Sequence, residues 1–173
     1  MNRRRRKKLQ RSLVAACEWG SPQRIAALLR AGADPGMPDG DGTTPLYRAS
    51  VQGRADVVRV LAAAGADPDA ESGHGDEGLP LCAAACWGHV DAVAALLDAG
   101  ADPMRREDRG QGHDAGHWAE VGGHHRTLAL LRREREPQGP LVHPAPDSAP
   151  VLKDLGPVGT YPGDKADRAG RAP

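Results

Sequence analysis

Three residues of this 173-residue chain have the types and spacing that could bind a metal ion. Cys82, Cys86 and His89 lie at i, i+4 and i+7, so on one continuous helix they would share a face. Thiolate sulfur and imidazole nitrogen are ligands that zinc prefers. Gly88 is expected to end that helix before His89, however. We therefore expect small-residue packing here and no metal site.

Other residues of types found in ligand-binding or catalytic sites do not complete the motif that such a site requires. Asp39 and Asp41 are spaced like ligands of a calcium loop, but Ser50 stands at the twelfth position, where that loop requires Glu. The stretches GDGTTP and GQGHDAG follow no predicted strand and lack the lysine of a phosphate-binding loop. Seven histidines are present, yet no Ser or Cys nucleophile has a recognisable local signature. We expect no cofactor and no enzymatic activity.

The start of the chain carries a cluster of positive charge. The net charge is zero, but residues 1–11 hold seven basic side chains and no acid, which leaves an acidic excess in residues 12–136. Such an arm can be solvated and disordered, can bind nucleic acid or anionic lipid through charge, or can steer an acidic partner. We expect a disordered arm over residues 1–8. Its cations are Arg3, Arg4, Arg5, Arg6, Lys7 and Lys8.

An internal repeat sets the architecture. The pentapeptide AGADP occurs at residues 31–35, 64–68 and 99–103. A second glycine lies twelve residues before each AGADP glycine, and two apolar columns three residues apart lie between them, as one face of a short helix requires. The columns are Gly20, Gly53 and Gly88; Ile25, Val58 and Val93; and Leu28, Leu61 and Leu96. Gly123, Leu128 and Leu131 continue the series.

Residue types at the ends of the repeated elements predict where the helices start and stop. Thr44 can cap a helix through its hydroxyl, and Pro45 suits the first helical position. In each AGADP the glycine can adopt the left-handed conformation that closes a helix. The Asp can hydrogen-bond its own loop, and the Pro prevents the helix from resuming. AGADP is therefore predicted to be a helix stop and not a ligand loop.

The unit DGDGTTPLYRASVQGRADVVRVLAAAGADP resembles the ankyrin repeat, with its TPLHxA turn and first helix, Gly-His turn, second helix and Gly-Ala-Asp exit. GHVDAVAALLDAGADP and GHHRTLALLRR resemble the second half of that repeat. The resemblance implies an all-α solenoid of about four helix–turn–helix units with hairpin-like loops. We place the units at residues 9–38, 39–71, 72–106 and 107–136. A Pro/Gly-rich tail, expected to be disordered, follows at residues 137–173.

The resemblance also implies a binding surface, formed by the loop tips and the last residues of each first helix. It points to these partner-binding candidates on helix ends: Trp19, Val51, Gln52 and Trp87. The loop candidates are Asp41, Thr43, His74, Asp76, Glu77, Arg109, Gln111 and His113. Burial of Trp19 and Trp87 between units is the alternative, whereas Trp118 is expected to pack between units.

The function predicted from these features is a non-enzymatic scaffold that binds a partner protein. The alternative is an adaptor led by the basic arm, associated with nucleic acid or an anionic membrane. We expect a monomer in the cytoplasm, because no apolar run approaches a membrane span and three cysteines form no disulfide framework. The last unit is expected to fray first, because Gly116 occupies a buried helix column.

Overall fold

The computed structural model describes residues 2–73 and 77–135. Within these ranges the chain forms four helix pairs, each joined by a short turn, and one four-residue segment in the last long loop, in which Asp108 and Arg109 have left-handed backbone. The first two pairs are α1 (Arg3–Trp19) with α2 (Pro22–Arg30), and α3 (Pro45–Val51) with α4 (Ala55–Ala63). The last two are α5 (Pro80–Cys86) with α6 (Val90–Asp98), and α8 (Ala115–Val121) with α9 (His125–Arg135), preceded by α7 (Glu107–Gly110).

The helix pairs stack into two parallel rows. The first helices α1, α3, α5 and α8 each contact the next in the row, and so do the second helices α2, α4, α6 and α9. The apolar columns of the repeat lie between the rows. Their fully buried members include Ile25, Val58, Leu61, Leu96 and Leu131. A single pair could not bury these side chains by itself, so stability comes from the contacts between neighbouring pairs.

Local side-chain caps explain where the helices begin. The hydroxyl of Thr44 accepts a hydrogen bond from the backbone N–H of Tyr47 at 3.3 Å, and Pro45 occupies the first turn, which confirms the predicted helix start. Asp114 caps α8 in the same way, since its carboxylate accepts from the N–H of His117 at 2.9 Å.

Each AGADP ends a second helix in the same way. The glycine has φ between 92° and 99°, and the N–H of the following alanine donates to the carbonyl five residues back, at 3.0–3.1 Å. The Asp then accepts from the N–H two residues on: Asp34 from Gly36, Asp67 from Asp69, and Asp102 from Met104. The prediction that AGADP is a helix stop is confirmed.

The N-terminal arm is helical, and the prediction of disorder over residues 1–8 is wrong for residues 3–8. α1 runs without interruption from Arg3 to Trp19, with Asn2 as its N-cap. The physical reason is the anchoring of α1 by Gln10, two residues after Lys8. The side chain of Gln10 is buried and donates to the carbonyls of Asp34 and Met37, and accepts from the N–H of Asp34. The predicted tail, residues 137–173, lies outside the described residues.

The last helix pair closes without an AGADP motif. Arg135, at the end of α9, forms an ion pair with Asp114 at 2.8 Å and donates to the carbonyl of Pro103 at 3.1 Å. Its guanidinium lies over Gly116, where an added Cβ would come within 2.8 Å of a guanidinium nitrogen. Gly116 therefore provides the space in which Arg135 connects the end of the last helix to the preceding loop.

Candidate interaction surface

The ends of the first helices carry large apolar side chains that solvent reaches. Trp19 is 79% exposed, Trp87 63% and Val121 67%. All three lie one or two residues before the glycine that opens the turn to the second helix. Packed helices are separated by about 8–10 Å, so the axes of α1 and α5, two steps apart in the row, lie about 16–20 Å apart. The alternative of burial between units does not hold for these two tryptophans.

Side chains of the turns fix the spacing of these helix ends. Each reaches back to the carbonyls at the end of the preceding first helix. Arg54 donates to Gly20 O at 2.7 Å, His89 Nε2 lies 3.1 Å from Val51 O, and His124 Nε2 lies 2.9 Å from Cys86 O. These contacts satisfy carbonyls that a helix end leaves unpaired.

The turn glycines make the histidine contacts possible. Gly53 and Gly88 have φ of 64° and 68°, and a Cβ at either position would clash with the ring of His89 or His124, respectively. The Gly-His turn therefore packs one unit against the end of the first helix in the preceding unit. Val51 and Gln52, half-exposed, lie on the surface between the two tryptophans.

The first loop candidates divide between exposed and internal residues. Asp41 is exposed. Thr43 is only 3% exposed, so its assignment as a partner-binding residue is wrong. Its hydroxyl donates to Glu77 at 2.8 Å, and the other oxygen of Glu77 accepts from Ser72 at 2.5 Å. Thr43 and Glu77 therefore hold neighbouring loops together. His74 and Asp76 lie outside the described residues.

The candidates of the last long loop are exposed but conformationally constrained. Arg109, Gln111 and His113 all reach solvent. Arg109 has a left-handed backbone, with φ of 56°, and its N–H donates to Glu71 at 2.9 Å. The ring of His113 stacks on the ring of His117, with centroids 3.8 Å apart. Because it also makes an edge contact with the ring of Trp118, the His113 side chain is held in place.

Sequence reasoning missed Glu107, which organises the interior of that loop. One carboxylate oxygen accepts from the N–H of Leu79 at 3.2 Å, and the other from Trp118 Nε1 at 2.7 Å. Burial raises the pKa of this carboxyl above its ordinary value, although these bonds oppose the shift. Trp118 accordingly packs against the core, as expected. The sequence carried no signal for this role, because Ser72, which accepts from the N–H of Thr44 across the same separation of 28 residues, is a different residue type.

The three residues first considered for metal binding do not converge. Cys82 is buried, Cys86 is exposed, and the ring of His89 is directed to Val51. Burial raises the pKa of the Cys82 thiol far above its ordinary value, with the nearby Glu107 adding to the shift. In residues 2–73 and 77–135 no group of three or more His, Cys, Asp or Glu side chains could hold a metal ion.

The cations of the arm, Arg3 through Lys8, are exposed on α1. Arg6 forms an ion pair with Asp34 at 3.6 Å. Among the described helices, none has both the length and the apolar character that a membrane crossing requires.

Two rows of helices, joined in pairs by glycine turns and separated by capped loops, define a helical-repeat protein. The sequence matches the family model for ankyrin repeats (three copies) over residues 13–107, more than half of the chain. The chain therefore belongs to the ankyrin repeat family. The fourth helix pair lies beyond the matched residues. Proteins of this family are generally protein-interaction scaffolds.

Proposed function

We propose that this protein is a non-enzymatic scaffold that binds a partner protein through the C-terminal ends of its first helices and through the tips of the loops that precede these helices. The observation that carries the proposal is the exposure of Trp19 and Trp87 on one row of helix ends. Tryptophan is enriched among the residues that dominate binding energy at interfaces. An exposed pair of this kind is apolar surface that a partner can cover.

The turn contacts support this proposal because they reduce the entropy lost on binding. Arg54, His89 and His124 tie each helix end to the next unit, so the two indoles project from a fixed frame. A rigid surface loses little conformational entropy when a partner docks. A partner with two apolar anchors at matching separation would bury both indoles. A partner that extends along the first helices would also meet the exposed Asp41, Arg109 and Gln111, in the loops that precede α3 and α8.

The experiment compares the proteins captured by the wild-type chain with those captured by Trp19→Ala/Trp87→Ala, identified by mass spectrometry. Met104→Ala is the matched control, because Met104 is also a large exposed apolar residue, at 57%, but lies in a loop. We expect the double variant to lose partners that Met104→Ala keeps. Identical sets of captured proteins from folded variants would contradict the proposal.

The exposed cations of α1 support a second candidate, an adaptor led by residues 3–8 that binds nucleic acid or an anionic membrane. Deleting residues 1–11 would remove the buried Gln10 and disturb the fold. Replacing the six cations by Gln leaves Gln10 in place and is the better test. Partner capture that survives this change at physiological salt would make the arm accessory. Loss of a steeply salt-dependent interaction would favour the adaptor.

We also propose that the protein acts as a monomer in the cytoplasm. Free Cys17, Cys82 and Cys86 are compatible with a reducing compartment. Sedimentation at rising concentration tests the monomer, and imaging of a tagged chain tests the compartment.

A further inference from the structure

A groove of about 730 Å³ runs between the start of α1 and the loop after α2. Arg3, Arg6, Lys7 and Arg11 line it from the helix, and residues 37–41 line it from the loop. It is separate from the tryptophan surface, since α1 carries the groove near its first turns and Trp19 at its last residue.

The cations of the groove share one side of α1. Their spacing of three, four and eight residues places them along one helix face, while Arg4, Arg5 and Lys8 lie on the rest of the circumference. Gln10 lies on the groove side and is hydrogen-bonded to Asp34 and to Met37. These bonds hold the cationic wall in a fixed position opposite the loop.

Most of this positive charge has no ionic partner. Within residues 2–73 and 77–135, Arg6 pairs with Asp34 at 3.6 Å, and no ion pair is formed by Arg3, Lys7 or Arg11. Three cations on a fixed wall therefore attract an anionic ligand.

The opposite wall narrows the class of ligand. Met37 is 36% exposed there and offers apolar surface, and Asp41 adds an exposed carboxylate. The carboxylate of Asp39 also lines this wall, and one of its oxygens accepts from the N–H groups of Asp41 and Thr43 at 2.9 and 3.2 Å. A uniformly charged phosphate chain would meet Asp41, and a flat lipid surface would not enter the groove. An extended peptide presents alternate side chains to opposite sides, so it can match both walls.

We infer that this groove binds an acidic, extended segment of a partner protein. Its carboxylates face Arg3, Lys7 and Arg11, and its alternate apolar side chains face Met37. This docking site is additional to the tryptophan surface of the proposed scaffold. The two sites together would let one chain hold a partner at two points, or two partners at once.

The test uses the full chain and a labelled short peptide in which Glu alternates with Leu, followed by fluorescence anisotropy. Arg3→Gln/Lys7→Gln/Arg11→Gln changes the groove wall. The matched control, Arg4→Gln/Arg5→Gln/Lys8→Gln, removes the same charge from the same helix. We expect the groove variant to raise Kd by about tenfold and the control by less than about twofold. Equal losses in both variants would overturn the inference, because charge alone would then explain binding.

A second variant tests the apolar wall without touching the cations. Met37→Ser is expected to weaken binding of the Glu-Leu peptide and to leave the affinity for a matching Glu-Ser peptide unchanged. A Met37→Ser variant that binds the Glu-Leu peptide with wild-type affinity would overturn the assigned orientation. Circular dichroism checks that every variant keeps its helices.

Two further probes distinguish the other anionic ligands. Single-stranded oligonucleotide and phosphatidylserine vesicles are expected to bind more weakly than the peptide, and with equal losses in the two triple variants. Tighter binding of either probe, lost only in the groove variant, would overturn the inference in favour of that ligand. Trp19→Ala/Trp87→Ala is expected to bind the peptide with wild-type affinity, so failure of this inference is distinguishable from failure of the proposed scaffold.

Discussion

The two ends of the helical stack are stabilised by different interactions, although both must present one face to solvent. The first pair buries Leu13, Val14 and Ile25, and one polar side chain, Gln10, that is fully engaged. The last pair buries Ala115, Gly116, Ala119, Thr127 and Leu131. Its only large aliphatic side chain that is fully buried is Leu131, among the described residues.

Polar contacts compensate for this small core at the last pair. Arg135 connects the end of α9 to Asp114 and to the carbonyl of Pro103. The hydroxyl of Thr127, by contrast, is buried and has no hydrogen-bond partner among the described residues. An end unit can therefore be stabilised either by buried apolar side chains or by a charged contact that spans the unit. The second arrangement buries less apolar volume, so we expect a smaller free energy of opening for the last pair.

The largest expected effect is at Leu131. Leu131→Ala should lower the free energy of unfolding by about 2–5 kcal/mol through lost transfer energy and a cavity. Because the last pair has little other buried volume, α8 and α9 should open before the rest of the stack. Hydrogen exchange measures this, with Leu13→Ala as the control at the opposite end. In the wild type as well, residues 115–131 should exchange faster than residues 80–97; equal protection would contradict the predicted fraying.

The next largest effect concerns the first end. Gln10→Ala removes two donors and one acceptor, and leaves the backbone N–H of Asp34 without its partner. Stability should fall by about 1–3 kcal/mol, measured by urea unfolding. Lys8→Ala, on exposed surface of the same helix, should change it by less than about 0.5 kcal/mol. Equal effects would show that Gln10 does not anchor α1.

A smaller effect, with a pH signature, is expected at Arg135. Arg135→Gln should cost about 1–2 kcal/mol at neutral pH, because it removes a charge-assisted contact. Burial acts to raise the pKa of Asp114, but the N–H of His117 and the Arg135 guanidinium outweigh it and hold this pKa below its ordinary 3.8. The stabilisation is therefore present above pH 3.8 and is lost as the pH falls through the lower, folded-state pKa.

Arg133→Gln is the control for that experiment. Arg133 lies on the same helix, is 79% exposed and pairs only with Glu134, at 3.8 Å, within the described part of the chain. It should change stability by less than about 0.5 kcal/mol at any pH. A similar cost for both arginines, or a cost for Arg135→Gln that persists in acid, would contradict the role given to the ion pair.

The smallest effect is expected for Gly116→Ala, which tests whether the glycine makes space for Arg135. Gly116→Ala should gain about 1 kcal/mol in helix propensity, but the new methyl group approaches the Arg135 guanidinium and offsets part of this gain. The substitution should therefore be nearly neutral in the wild type and stabilising in the Arg135→Gln background. A double-mutant cycle by thermal unfolding measures the difference. Identical effects in both backgrounds would show that Gly116 does not make space for Arg135.

The repeat pattern predicted the helix pairs and their stops because those features depend on residues a few positions apart. Thr44, Pro45 and the AGADP motifs act within a single turn, and the structure shows them as expected. The pattern also located Trp19 and Trp87 at helix ends, but their exposure was left open. Burial depends on which unit lies next in the row, and helical spacing alone does not reveal that.

The contacts of the loop residues could not be predicted from the sequence either. From the sequence Thr43 was assigned to a loop tip, yet its hydroxyl donates a hydrogen bond to Glu77, 34 residues later, and the residue is buried. Glu107 reads as one acid among several, yet it joins Leu79 to Trp118. Neither contact can be identified from sequence position, because the residue types at corresponding positions of the units differ.

The sequence by itself determined the repeat, the caps and the helix ends, since short-range sterics and hydrogen bonds decide them. The tertiary structure alone decided how far the first helix extends, which loop side chains are internal and how the last pair closes. Gln10 meets Asp34 and Met37, and Arg135 meets Pro103, across 24, 27 and 32 residues of chain. Such contacts form only after stacking has brought neighbouring units together, which is why a cluster of like charges at the N-terminus can be helical.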